Sequence, residues 1–378
     1  MNTFGPLKHK NMAKKLYIAA SNQHVGKTTC TLGIVEAFRE AGERVAYCKP
    51  VGQGAVDFKN LQVDKDALLF STMMHFDLVA KVHSPVILGP GATQAYLDKP
   101  EKFTFRDDVL AAAEILESEY EMVVYEGTGH PGVGSVVGLS NADVAKMLDA
   151  PVILIVEGGV GYTIDRLNLC LSLFREQDVR LAGVIINKVL PEKVEKVEHY
   201  VGMKLKEWDI PLLGLIPYDK TLLYPLLDTI RSRIQGKVLA NPAGLNNLVE
   251  EVVAASLLPK YQFNEETQGL LLVTSSNRLN DSLGRIIELS EREGISNPLA
   301  GVVLTGDGVL LDSLDEGFEY ANYVFKNNIP IISTPLDTYG TAVQISTMEV
   351  KINVQTLGKA RRAVELVRNC VDLKKIRW

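Results

Sequence analysis

Gly26-Lys27-Thr28-Thr29 sets a glycine, an ammonium and two hydroxyls side by side. An apolar run, Leu16 to Ala20, and a polar loop, Ser21 to Val25, precede it. Leu32, Val35 and Phe38 follow at three-residue spacing, the period of a helix. Strand, glycine-containing loop, Lys-Thr and helix together describe a phosphate-binding loop. The start of a helix carries unpaired N–H groups and the positive end of the dipole, so it holds an anion. Gly26 lets the backbone approach phosphates closely, Lys27 would neutralise the β- and γ-phosphates, and Thr28 would place its hydroxyl on Mg2+. The motif usually opens with glycine, and here Ser21 stands in that place. The string alone could mark a surface loop; its position between a buried-type strand and an amphipathic helix points to a phosphate site.

Other residues fit the same chemistry. Lys49 follows the apolar run Val45 to Cys48, and the carboxyl end of a parallel strand is where open α/β sheets bind ligands. The bland alternative is a solvated loop lysine. Glu126 ends the run Met122-Val123-Val124-Tyr125, the arrangement of a strand-end carboxylate on Mg2+ directly or through water; otherwise it is a surface acid. Gly127, Gly129, Gly132 and Gly134 follow, a loop able to pass close to a ligand. Asp64 or Asp66 either caps a helix or leans toward Mg2+. Asn187, after Leu181 to Ile186, reads a nucleotide base with its amide or serves as a turn residue.

These residues need elements to hold them. Strands are expected at 16–20, 43–48, 122–127, 151–156, 181–186 and 211–217, alternating with helices such as 106–120. Several are apolar at every position, as in a parallel sheet covered on both faces. The fold class is therefore α/β, a mostly parallel sheet with helices on both faces, followed by a second, smaller α/β domain. Residues 1–12 read as a disordered extension, 13–235 as the nucleotide domain and 236–378 as the second domain. The second is expected to open with a helix over 241–256 and a loop over 258–268. Strands at 270–274, 299–304 and 329–332 follow, and an amphipathic helix over 358–370 closes it. Thr305-Gly306-Asp307-Gly308 could bind a small molecule or another subunit.

The chain has 378 residues, 46% hydrophobic and 23% charged, which is ordinary globular composition. Its net charge of -6 argues against a nucleic-acid partner, a local basic patch aside. No apolar run approaches the length of a membrane span, and the N-terminus lacks a signal-peptide core. Cys30, Cys48, Cys170 and Cys370 are far apart with no CxxC, which suits reduced thiols in a cytoplasm and gives no zinc site.

LYIAASNQHVGKTT, CKPVGQG, DKDAL, VVYEGTG and GVIINKV occur in the order seen in dethiobiotin synthetases, and the first half resembles that P-loop family. EGTGHPGVGSVVGLSNADVA and SPVILGPGATQAYL are similar to the N-terminal region of long phosphate acetyltransferases. The second half, through VLTGDG and IPIISTPLDTYGTAVQIS, resembles the DRTGG domain of those proteins, although its early Asp-Arg is Asn277-Arg278 here. Their acetyltransferase domain would lie after residue 378. Gln53 and His130 stand where dethiobiotin synthetases carry a serine and a glycine near their substrate, which puts synthetase activity in doubt. Cobyrinic acid diamide synthases share the ATPase half but add a glutaminase with a cysteine nucleophile. Cys370 lacks the Gly-rich elbow of such a nucleophile.

Carried over, the resemblance implies ATP and Mg2+ as cofactors. Gly26, Lys27, Thr28 and Thr29 bind phosphates; Thr28, Asp66 and Glu126 surround Mg2+; Asn187 faces the base. Lys49, with Lys27 the candidate catalytic residue, stands where an acyl-phosphate or carbamate would be stabilised. The implied assembly is a homodimer or higher homo-oligomer. Three functions compete: a nucleotide-responsive regulatory module with slow ATPase activity, an ATP-dependent ligase activating a small carboxylate or carbamate, with a small carboxylate or amine as the possible small-molecule partner, and a scaffold with a vestigial nucleotide site.

Overall fold

A computed structural model describes residues 12–264, 267–306, 308–314, 317–348, 352–354 and 356–378. Residues 1–11 of the expected N-terminal extension, and Asp307 of the glycine-rich turn, lie outside the described residues. Packing divides the chain into two units. One holds the described residues up to Asp219 together with Ile352–Trp378, and the other is Lys220–Lys351.

The first unit is built on six strands: β1 (Lys14–Ala20), β2 (Val45–Cys48), β3 (Met122–Glu126), β4 (Val152–Glu157), β5 (Leu181–Val189) and β6 (Leu212–Pro217). They lie in the order β6-β5-β4-β1-β3-β2, and every pairing is parallel. Leu16 to Ala20, Met122 to Tyr125 and Val152 to Val156 are buried without a break, which explains why these strands read as continuous apolar runs rather than alternating ones. The sheet is covered by α1 (Lys27–Glu40), α2 (Lys65–Met74), α3 (Phe105–Glu119), α4 (Asn141–Met147), α5 (Gly161–Glu176) and α6 (Val194–Glu207). Between β2 and α2 runs a hairpin, Ala55–Phe58 with Leu61–Asp64, that the sequence reading did not anticipate. It turns on Lys59 and Asn60, both left-handed (φ 49° and 64°), with no glycine to announce it.

The register sets the site. Ile18 pairs with Glu126, Cys48 with Tyr125, Ala20 with Ile155 and Glu157 with Asn187. The phosphate loop leaving β1 is therefore flanked by Glu126 and then Lys49 on one side and by Asn187 on the other.

The second unit contains β7 (Lys237–Ala240), β8 (Glu251–Ala254), β9 (Leu270–Ser275), β10 (Leu299–Thr305) and β11 (Ile331–Thr334), ordered β7-β11-β10-β9-β8. The last four are parallel and β7 is an antiparallel edge. Helices α7 (Leu279–Arg292), α8 (Ala321–Lys326) and α9 (Thr338–Ser346) connect and cover them. The helix expected over 241–256 does not form: a short 3-10 turn, Pro242–Asn246, leads into β8. Asn241 is left-handed at φ 49°, Pro242 follows, and the β-branched pair Val252-Val253 gains a full parallel ladder on β9.

The closing helix α10 (Leu357–Cys370) forms as expected but belongs to the first unit, not the second. Its buried stripe of Ala360, Ala363, Val364, Leu366 and Val367 packs on α1, and a Cβ on Gly33 would lie 2.2 Å from Val367 Cβ. Beyond α10, Asp372 N–H donates to Leu213 O (2.8 Å) and Arg377 N–H to Ala182 O (3.0 Å), tying the tail to β6 and β5. The division drawn at 235 thus moves to 219, and the fragment after 351 rejoins the first unit. Among the described residues no helix is long and apolar enough to cross a membrane.

Candidate functional site

The loop from Ser21 to Gly26 enters α1 with Gly26 at φ 98°, a left-handed turn that favours glycine. A side chain there would also strike Asn187: a Cβ would fall 2.1 Å from its Nδ2. No side chain caps α1 and no acid lies in its own first turn; the carboxylate that meets the helix start is Glu126, from the end of β3. The loop is braced from behind. Asn187 Nδ2 donates to Val25 O (2.8 Å), and Lys188 Nζ donates to His24 O (2.6 Å) while pairing with Glu157 (2.8 Å). Asn187, read as the base contact, thus spends one amide N–H on holding the loop, and its Oδ1 accepts from Lys188 N–H (2.9 Å). Lys188 gave no signal in the sequence beyond its place after Asn187.

On the other side Thr28 Oγ1 donates to Glu126 Oε1 (3.1 Å), and Lys27 Nζ donates to Gly129 O (3.3 Å). Lys49 Nζ lies 2.6 Å from Asp66 Oδ2 and 3.0 Å from Glu126 Oε1. Lys27, Thr28, Lys49, Asp66 and Glu126 therefore converge, across a hundred residues of sequence. Thr29 is buried in the first turn of α1. Geometry gives the two aspartates different partners. Asp64 caps α2, accepting from Asp66 N–H (2.9 Å), and also accepts from Gly54 N–H (3.2 Å); Asp66 reaches Lys49.

Electrostatics follow from burial. Desolvation pushes the Lys27 ammonium down to about 8, helped by repulsion from Lys49 and opposed by Glu126, Asp66 and Asp64. Burial also penalises Lys49, yet Asp66, Glu126 and Asp64 outweigh it and hold its ammonium well above the lysine range. Burial alone would raise Asp66, but Lys49 brings it below the usual carboxylate value; Glu126, fully enclosed, is raised by burial despite the same partner. Lys49 is thus the internal counter-ion of two carboxylates.

Thr28, Asp66 and Glu126 offer hard oxygen donors suited to Mg2+. Among the described residues there is no group of three or more His, Cys, Asp or Glu that could hold a metal. Two carboxylates and a hydroxyl leave an octahedral ion short of ligands, which phosphate oxygens and water would complete.

Asn141 is a residue of the site that the sequence does not single out. It lies one residue inside α4, whose cap is the reciprocal pair Ser140 and Asp143, so its amide is free for other work. Its Oδ1 accepts from Tyr17 OH (2.8 Å) and Thr128 N–H (2.9 Å), and its Nδ2 donates to Thr128 O (2.8 Å) and His130 O (2.6 Å). It fixes the loop whose Gly129 carbonyl meets Lys27. Thr128 Oγ1 anchors the same loop to Val51 O. His130 is exposed, with Nδ1 accepting from Gly132 N–H (3.2 Å), and Gln53 is exposed as well.

Residues 14–225 match the family model of an AAA domain. Over 97% of its length the chain is 26% identical to a phosphate acetyltransferase of Synechocystis sp., covering 51% of that protein. It is 24% identical to a probable cobyric acid synthase of Methanothermobacter thermautotrophicus, over 81% of this chain and 69% of that one. The chain spans about half the length of the phosphate acetyltransferases it matches. Among solved structures, the MinC:MinD cell division complex of Aquifex aeolicus covers 56% of this chain and 84% of its own at 17% identity and a TM-score of 0.36.

Proposed function

The chain belongs to the AAA-domain family matched over residues 14–225, and from that premise we propose that it binds Mg-ATP at the loop before α1, hydrolyses it slowly, and acts as a nucleotide-responsive regulatory module. One observation carries the reading: Lys27 and Thr28 at an uncapped helix start meet Glu126, Asp66 and Lys49. The charges specify how the nucleotide arrives. Lys27 and Lys49 face Asp64, Asp66 and Glu126, so the carboxylates offset the lysines. A divalent cation accompanying the triphosphate lowers the repulsion between its phosphates and these acids.

Slow turnover follows from the same contacts. Glu126 and Asp66 each give one oxygen to Lys49, and in this reading the metal takes up the remaining oxygens, so neither serves as a base for an attacking water. In this reading Asn187 serves the loop and, through its remaining amide hydrogen, the base. The second unit, DRTGG-like by its sequence segments, relays the nucleotide state to a partner or within a homo-oligomer.

Isothermal titration tests the binding. Saturable Mg-ATP binding by the chain, lost in Lys27→Ala and strongly weakened when EDTA removes the metal, is expected. Absence of binding at millimolar Mg-ATP would leave only a scaffold with a vestigial site. A ligase reading keeps one support, the ammonium of Lys49 buried beside the phosphate loop where an acyl-phosphate would need a cation. Rapid ATP turnover triggered by a small carboxylate or amine, and abolished in Lys49→Ala, would favour the ligase.

A further inference from the structure

At the amino ends of β5 and β6, away from the carboxyl ends that carry the phosphate loop, lies a cavity of about 330 Å3, within the range of small-molecule sites. Arg175, Arg180, Trp208, Asp209, Arg377 and Trp378 line it. In a chain of net charge -6, this lining holds three guanidiniums and one carboxylate.

The three guanidiniums differ. Arg377 is committed to Asp209 through a two-pronged pair (2.7 and 3.0 Å), and Arg180 pairs with Asp149 (3.2 Å). Arg175 has no carboxylate partner among the described residues; its Cζ lies 5.7 Å from the Trp208 ring centroid. Lys204 Nζ, paired with Glu207 (2.6 Å), sits 5.3 Å from the same ring, and Lys14 Nζ, paired with Glu43 (2.8 Å), 5.5 Å from that of Trp378. The two indoles offer apolar ring surface, and the Arg175 guanidinium beside Trp208 is the cation placed to meet an anion carried by a flat ring.

We infer that this cavity is a second ligand site, selective for a planar aromatic anion of nucleoside-monophosphate size. The site is independent of the phosphate loop and needs no metal.

Trp208 and Trp378 are the two tryptophans of the sequence, so intrinsic fluorescence reports on this cavity. The full chain is titrated with AMP in EDTA, with adenosine and inorganic phosphate as probes carrying one half of the chemistry each. Saturable quenching by AMP is expected, with adenosine and phosphate each binding at least about tenfold more weakly, since each lacks one class of contact. Arg175→Gln, at an exposed position, should keep the circular dichroism and Tm of the parent while weakening AMP by about tenfold, the loss of one charge-assisted hydrogen bond. Lys27→Ala should leave AMP quenching unchanged. The inference is overturned by absence of saturable quenching, by phosphate matching AMP, by an unchanged affinity in Arg175→Gln, or by loss of the signal in Lys27→Ala, which would place AMP at the phosphate loop.

Discussion

At the scale of single residues, Lys49 is the one whose removal says most. Its ammonium is buried between Asp66 and Glu126. Lys49→Ala would leave two enclosed carboxylates without a counter-ion, a change that costs roughly 3–5 kcal/mol when a buried pair is broken. We expect a large drop in Tm that added Mg2+ partly restores, because the metal replaces the missing charge. A Tm within a degree or so of the parent would mean the lysine is not a counter-ion. Lys27 supplies a proton-linked signature. Its ammonium is lowered to about 8 in the folded protein, against an ordinary lysine value of 10.5. Folding therefore releases a proton from this residue between those values, and its contribution to stability rises with pH across that window. A triphosphate beside it favours the charged form, so binding at about pH 8.5 should take up protons. Titrations in buffers of different ionisation enthalpy measure this; zero uptake would place Lys27 away from the phosphates. The positions of Lys49 and Glu126 at strand ends, and of Lys27 at the start of α1, were legible because apolar runs and the Gly-Lys-Thr string mark them. Asn141 was not, because its role rests on contacts with Tyr17, Thr128 and His130 that only folding creates.

At the scale of elements, two contacts decide how rigidly the site is held. Asn141→Ala would strip the loop after β3 of its clamp and leave the buried Tyr17 hydroxyl unpaired, at a cost of roughly 1–3 kcal/mol, besides the part-buried backbone groups of Thr128 and His130. Hydrogen exchange over residues 127–134 should rise well above that of neighbouring β3; unchanged protection would show that the loop is held by other means. The second contact is between α1 and α10. Gly33→Ala would place its methyl within van der Waals overlap of Val367 and should destabilise the protein by roughly 1–3 kcal/mol, as overpacking does. Val367→Ala in the same chain should recover part of that loss, a coupling that denaturation curves of the four variants would reveal. Strands β1 to β6 were readable as apolar runs because both their faces are covered. The region 241–256 was misread because a helix-like spacing of apolar residues competes with Pro242 and with pairing on β9, and pairing is invisible in one sequence.

At the scale of the whole molecule, the chain leaves its first unit at Asp219 and returns to it at Ile352. Sequence order suggested two successive domains; amphipathicity said that α10 has a buried stripe but not which surface receives it. A chain ended after Gln235 lacks α10 and exposes the face of α1 that contains Gly33, so it should lose most of its cooperative melting transition. A melting curve like that of the full chain would refute this packing. The central claim, that the loop before α1 holds a metal-bound triphosphate, is met most directly by anomalous diffraction from crystals grown with Mn2+ and a non-hydrolysable ATP analogue. We predict one manganese peak between Thr28, Asp66 and Glu126, with the triphosphate over Gly26 to Thr29. Triphosphate density elsewhere, or a pocket that stays closed by Lys49 with no manganese at saturating ligand, would contradict the account.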